Sequence, residues 1–348
     1  MEVYSIYLGL VVLLGFFYEL AKGKKSTRYG LTAMSALGIM LIASLRSADV
    51  GKDVPNYLAA FEYCGSSGWA ELAYLRYEPG YLGLCKSLAL VSSNEQFFIF
   101  STAILILVGP VYFVCKYSKN PPFSFFLYVV MTFFAFSMSG IRQALATSIV
   151  LVGFQYLTSR RLLPFVSLVG LAGTFHLTSI AYTLAYAVGA LRVTAKNIFI
   201  FALVFSGLYA VKGSLLSFFV ERYLDQYSEM LAPSDSYMYM VTMIFVFLLG
   251  LLRYKSVLAS NPRATVLYNL ILLAAFFQLF GSESSNAVRV AELFYIAVIV
   301  FVPEVVSSIK DLAARCLVYG AVVVVGLVQF YIVFPGGGYG AIPYRFLW

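Results

Sequence analysis

Residues 95–157 read EQFFIFSTAILILVGPVYFVCKYSKNPPFSFFLYVVMTFFAFSMSGIRQALATSIVLVGFQYL, three apolar runs at 95–115, 122–138 and 141–157. The first two are parted by a short basic link with Lys116 and Lys119, the last two by Gly140. Helices cross a bilayer on roughly 20 apolar residues, so these runs read as successive transmembrane helices. Working outward, further apolar runs fall at 4–20 and 29–45 on one side, and at 162–174, 176–191, 197–212, 237–252, 264–281, 288–306 and 314–334 on the other. Twelve candidate spans result. The run 162–174 is too short to cross upright; with 176–191 it reads as a re-entrant hairpin, or as two short helices meeting at Phe175-His176. Residues 79–92 read as an interfacial helix. Tyr4–Leu20 ends without a small-residue cleavage site and reads as a first helix rather than a signal peptide.

Composition agrees. Of 348 residues 61% are hydrophobic and only 11% charged, with a mean hydropathy of +0.86. Soluble domains carry about 25% charged residues, so a soluble catalytic body is excluded. Aromatics reach 17%, as expected where rings anchor at membrane interfaces. The fold class is all-α: a single transmembrane domain over 1–348, with outer loops at 46–94 and 213–236 and an outer tail at 335–348.

The net charge of +8 forms no patch and does not point to nucleic acid. Lys22, Lys24, Lys25 and Arg28 follow the first helix and mark that side as cytoplasmic by the positive-inside rule. Alternation of twelve spans then places fifteen of the 24 basic residues on that side, with only Glu19, Glu304 and Asp311 of the 16 acids. Every internal connection obeys the rule, and both termini are expected outside. Cys115 and Cys316 fall near the cytoplasmic side. Cys64 and Cys85 share the outer loop, where a disulfide is permitted and two unpaired small residues are equally admissible. No spacing suggests a metal or haem, and no cofactor is expected.

The charges placed outside gather in five clusters. LRSADVGKDVPNYLAAFEYCG holds Arg46, Asp49, Asp53 and Tyr57, and RYEPGY holds Glu78 and Tyr81. Glu78-Pro79 looks like a helix start, and capping alone would account for the acid. In SGIRQALA, Arg142 and Gln143 open a helix after Gly140, where backbone donors and a bidentate guanidinium favour an anion; snorkelling to headgroups is the plainer alternative. GTFHLTS holds His176, the one histidine of the chain, which can relay a proton near neutral pH or simply be structural. NAVRVAELF holds Arg289 and Glu292, which can also pair with each other at i,i+3. Arg46, Arg142 and Arg289 on one leaflet beside acids and a histidine suit a large anionic ligand, and a lipid-linked phosphate or diphosphate fits.

The order of these motifs carries a resemblance. Asp53 with Tyr57 and Phe61, then EPGY (78–81), IRQxxA (141–146), FHxTS (175–179), Arg289 and a terminal PYxF (343–346) resemble the EpsG family of Wzy-type polysaccharide polymerases from about residue 46 onward. The chain departs from the family where Asp53 is followed by Val54 rather than Thr, and where Glu292 replaces a neutral or aromatic residue. The resemblance implies a GT-C-like, metal-independent glycosyltransferase of a bacterial inner membrane, with its active site facing the periplasm. It implies transfer of a growing glycan from undecaprenyl diphosphate to the non-reducing end of a lipid-linked repeat unit. Its partners would be those lipid-linked oligosaccharides, membrane lipid and, in some systems, a chain-length-regulating protein. An O-antigen ligase and a lipid-linked oligosaccharide flippase are the alternatives; the bunching of charge at one face favours chemistry over passage.

On this reading Arg142 and Arg289, with Arg46 third, hold the diphosphate, because fixed cations stabilise a departing anion. His176, then Glu78 and Asp53, are candidates for the base that takes the acceptor proton. Tyr57, Tyr81 and Gln143 are candidate substrate contacts.

Overall fold

The computed structural model describes residues 1–21, 23–72, 74–223, 237–336 and 339–348. Lys22 and most of the expected outer loop 213–236 lie outside the described residues. All regular elements among the described residues are helical. Five helices are long and apolar enough to cross a membrane, seven if each of two bent pairs is one span. The chain is a multi-pass membrane protein. The difference from twelve apolar runs has a physical origin in broken and short helices. The run 122–138 is split into α7 (Pro121–Val130) and α8 (Phe133–Ser139), bent by 62°. Thr132 sits at the break with a φ of 65°, a left-handed conformation that ends α7. The runs 162–174 and 176–191 form α10 (Leu162–Gly173) and a 3-10 turn (Leu177–Thr183) leading into α11 (Leu184–Val188). His176 stands in the gap between them, as one of the two alternatives for this stretch expected.

The contacts divide the chain into two compact units. The first comprises residues 1–155, 163–179 and 309–348. It holds α1 (Glu2–Leu20), α2 (Lys25–Ser44), α6 (Glu95–Tyr117), most of α9 (Ile141–Thr158) and α18 (Leu312–Val333). A buried ion pair ties α1 to α18: Arg315 Nη1 donates to Glu19 Oε2 at 2.8 Å. Asn120, which caps α7 by accepting from Phe123 N, also donates to Glu19 Oε1 and to the Gly15 carbonyl at 3.0 Å each. Three helices thus meet on one satisfied polar knot. Farther along, α6 and α9 meet at Gly109. The Ser148 hydroxyl accepts from Gly109 N at 2.9 Å and donates to the Leu105 carbonyl at 2.8 Å. A side chain of α9 is thereby inserted into the hydrogen-bond ladder of α6, just before Pro110.

The expected outer loop 46–94 is itself largely helical. It forms α3 (Val54–Ser66), a short α4 (Trp69–Leu72) and α5 (Pro79–Ala89), the last a helix within the stretch 79–92 that the sequence marks as helical. α3 and α5 pack through Tyr57, Phe61, Cys64, Tyr81, Leu82 and Cys85, and this cluster continues onto Phe98 of α6 and Ile141 of α9. Lys86 Nζ donates to the carbonyls of Cys64 and Ser67 at 2.8 and 2.7 Å, closing the end of α3. Cys64 and Cys85 are buried free thiols. The tail runs back along the segment after α2: Ser47 N donates to the Arg345 carbonyl, Gly51 N to that of Gly340 and Lys52 N to that of Tyr339, each at 2.9 Å. Gly51 has a φ of 119°, and a Cβ there would stand 2.5 Å from the Met138 carbonyl. This glycine lets the segment leading to α3 pass close over the end of α8.

The second unit comprises residues 156–162 and 180–308. α15 (Thr265–Gln278) packs against α16 (Ser285–Tyr295) and α13 (Tyr237–Leu251). Tyr268 anchors it, donating to the Gly250 carbonyl at 2.8 Å with the Phe301 ring set edge-on at 4.8 Å. Asn269 Nδ2 gathers the carbonyls of Val188, Gly189 and Leu191 at 2.8–3.1 Å, so that one buried amide holds the end of α11.

Candidate active site

Glu78 is the residue before Pro79 at the start of α5, with extended backbone, yet its carboxylate makes no capping hydrogen bond. It turns outward from its own helix to two others. Oε2 accepts from Arg142 Nη1 at 2.5 Å. Oε1 faces His176 Nδ1 at 3.3 Å and the Leu177 amide at 3.4 Å. Three motifs far apart in sequence, EPGY, IRQ and FHLTS, therefore meet at one carboxylate.

Local backbone makes the meeting possible. Arg142 lies in the first turn of α9, directly after Gly140 ends α8. His176 ends the turn after α10, its amide donating to the Ala172 carbonyl at 3.0 Å. Its own carbonyl accepts from both the amide and the hydroxyl of Ser179, at 3.0 and 2.8 Å. The EPGY turn is docked against this region by Gly80 N, which donates to the Thr174 carbonyl at 2.8 Å. A Cβ on Gly80 would lie 2.3 Å from Thr174 Oγ1 and 2.8 Å from the Thr174 carbonyl oxygen. Glycine is the residue that fits.

The His176 ring is buried, 8% exposed. Its Nδ1 lies within ion-pair distance of Glu78 but off the line of a formed hydrogen bond, and its Nε2 has no partner among the described residues. The Arg142 guanidinium lies 4.7 Å over the Tyr77 ring, and its Nε is buried with no hydrogen-bond partner among the described residues. Burial pushes the Glu78 carboxyl up. The facing His176 and the Arg142 charge outweigh that effect and hold it near a pKa of about 2. Glu78 is thus ionised at neutral pH.

The remaining expected residues divide. Asp53 stands just before α3 and turns to the end of α8: its Oδ2 accepts from Ser139 Oγ at 3.2 Å, and its amide donates back to that oxygen at 3.3 Å. Tyr57 and Tyr81 pack with Tyr77, ring centroids 5.4–6.3 Å apart. Tyr81 is fully buried at 0%, and Gln143, next to Arg142 in the first turn of α9, is buried as well. Arg46 is 1% exposed, enclosed where the tail pairs with the segment after α2, and its charge is sensed by Tyr4 and Tyr344. Burial lowers its pKa to about 10, which leaves it protonated at neutral pH. Arg46 makes no ion pair with a carboxylate among the described residues. Arg289 and Glu292 belong to the second unit, on α16. Tyr77 was missed by the sequence reading. Its signal was an aromatic ring directly before the acid of EPGY, which places it under whatever cation that acid recruits. Among the described residues no three His, Cys, Asp or Glu side chains come together as metal ligands would.

No curated protein and no solved structure matches the chain significantly. The EpsG family does, over residues 31–346, a range that takes in EPGY, IRQxxA and FHxTS with the carboxylate that joins them. The chain belongs to the EpsG family, whose members are polysaccharide-polymerase-like membrane proteins.

Proposed function

We propose that the protein is a glycosyltransferase that polymerises undecaprenyl-diphosphate-linked repeat units at the periplasmic face of a bacterial inner membrane. The observation that carries the proposal is the buried, unpartnered Nε2 of His176, beside a carboxylate locked to an arginine. A sugar hydroxyl is a poor nucleophile until a base takes its proton. In the proposed step the acceptor hydroxyl gives its proton to His176 Nε2 while its oxygen bonds to the anomeric carbon of the growing chain. The bond from that carbon to the diphosphate oxygen breaks, and the lipid diphosphate leaves with the electron pair. The configuration inverts. Arg142 contributes fixed positive charge. Arg46 is left out, because it is enclosed. Asp53 is the remaining candidate for the base, and Tyr57 for a substrate contact. Twelve crossings in a GT-C-like arrangement, with the basic connections inside, remain part of this reading, supported by the charge asymmetry of the sequence.

The test is deletion and complementation, reading surface glycan on a gel. Wild type should restore a ladder that deletion collapses to single repeats. His176→Ala and Arg142→Ala, at normal protein levels, should not. A full ladder from either variant would sink the assigned role of that residue, and a ladder unchanged by deletion would sink polymerisation of that glycan.

A further inference from the structure

We infer that Glu78 is a positioning residue: it fixes the His176 ring in the tautomer that carries its proton on Nδ1, so that the buried Nε2 presents a lone pair. The inference rests on the proposed function only for the identity of the proton that Nε2 receives.

The division of the carboxylate carries the argument. One oxygen is bound by Arg142 Nη1 and the other stands 3.3 Å from His176 Nδ1. A neutral imidazole has one N–H and one lone pair, and the partner of one nitrogen decides the state of the other. With the proton on Nδ1, that N–H lies beside the anionic Oε1, 3.3 Å away though off the line of a formed hydrogen bond. With the proton on Nε2, the Nδ1 lone pair would oppose the lone pairs of Oε1, and a buried N–H would be left without an acceptor. Both terms favour the same tautomer.

The charged and titratable groups around this point are few. Glu78 stands just before α5, Arg142 is in the first turn of α9, Asp53 stands just before α3 and Tyr57 is in it, and Tyr77 stacks beneath Arg142. The ion pair to His176 among the described residues is with Glu78. Arg142 and the Tyr77 ring in turn hold Glu78. The depressed Glu78 carboxyl cannot act as the base near neutral pH. Its part in the step is to stabilise the imidazolium formed when Nε2 takes the proton, without taking that proton itself.

The chain has a single histidine, which makes the tautomer directly readable. Full-length protein, purified in lipid nanodiscs through a tag without histidine and labelled with 15N-histidine, gives one imidazole. At pH 8, above the ordinary imidazole range of about 6.5, the expected spectrum shows a protonated Nδ1 and an unprotonated Nε2. In Glu78→Ala the preference should move to the Nε2–H form that free imidazole side chains favour. Glu78→Gln, which keeps the shape of the side chain, serves if the alanine variant does not fold; it should show a mixture. In turnover with lipid-linked repeat units, Glu78→Gln should lower kcat on the order of 10²-fold or more, with KM within about threefold. A wild-type spectrum with Nε2 protonated, or a Glu78 variant that keeps the Nδ1–H tautomer, overturns the inference. Failure of the polymerase reading would appear separately, as a wild-type protein with the expected tautomer and no polymer formed.

Discussion

Adding one methyl group at Gly80 should separate the two halves of the candidate site without touching a charged residue. In the native structure an ideal Cβ at this position falls 2.3 Å from Thr174 Oγ1, 2.8 Å from the Thr174 carbonyl oxygen and 2.9 Å from Thr174 Cβ. The hydroxyl can rotate away. The carbonyl and Cβ cannot, because Thr174 N is held by the carbonyls of Gly170 and Leu171 at the end of α10. Restoring ordinary contact requires the EPGY turn to withdraw by roughly half an ångström, an overpacking strain of about 1–3 kcal/mol. That withdrawal stretches the 2.8 Å hydrogen bond from Gly80 N to Thr174, whose loss costs about 1 kcal/mol more. It also carries Glu78, two residues away, from His176. Misplacement on the order of 1 Å costs about 10²-fold in rate, so Gly80→Ala should reduce turnover by roughly 10- to 100-fold and destabilise the protein by about 2–4 kcal/mol. Turnover is assayed with lipid-linked repeat units, and stability by thermal unfolding in the same detergent. Thr174→Ala removes the nearest atom and leaves the carbonyl, so combining it with Gly80→Ala should recover part of the loss. A Gly80→Ala protein with turnover within twofold of wild type would refute the claim that close docking of EPGY on Thr174 positions Glu78.

Two further outcomes follow from buried charge. Arg315→Met leaves Glu19 ionised and enclosed among α1, α7 and α18, which should cost about 3–5 kcal/mol of stability in thermal unfolding. Pairing it with Glu19→Gln should recover most of that, and additive losses would argue against a coupled pair. Glu78 has a folded-state pKa of about 2 against an ordinary 4.5, so its contribution is full above 4.5 and is lost as pH falls from there toward 2. The stability gap between wild type and Glu78→Gln, at most about 3 kcal/mol and reduced by the solvent reaching the side chain, should close across that window. A gap independent of pH between 5 and 2 would contradict the sign.

How much of this was legible in the sequence depends on the range of the interaction. Apolar runs need only local counting, and their positions match the helices closely: 95–115 against Glu95–Tyr117, and 314–334 against Leu312–Val333. The helix within 79–92 was legible for the same reason. Breaks inside apolar runs were not. Thr132 is β-branched in a run of Phe, Met and Val, and nothing local announces its left-handed backbone. Nor does composition reveal that the loop after α2 contains α3, because its charges and glycines look like a loop until Tyr57, Phe61 and Cys64 are seen to share the face that packs on α5.

At the candidate site, sequence named three residues that the structure brings together and withheld their partners. Glu78 could be read as a helix cap, Arg142 as a headgroup anchor and His176 as a structural histidine, since each reading needs only neighbours in the chain. The structure joins Arg142 and His176 to the Glu78 carboxylate, 64 and 98 positions away in sequence, and leaves the carboxylate uninvolved in its own helix cap. That geometry changes the role assigned to the acid. Read alone, Glu78 competes with His176 for the part of base. Held between a guanidinium and an imidazole, it is too well stabilised as an anion to accept a proton near neutral pH, and in the proposed step the nitrogen without a partner among the described residues is the acceptor. Glu78 and His176 thus stop being rivals for one task and become successive parts of a single one, with Arg142 holding the first in place.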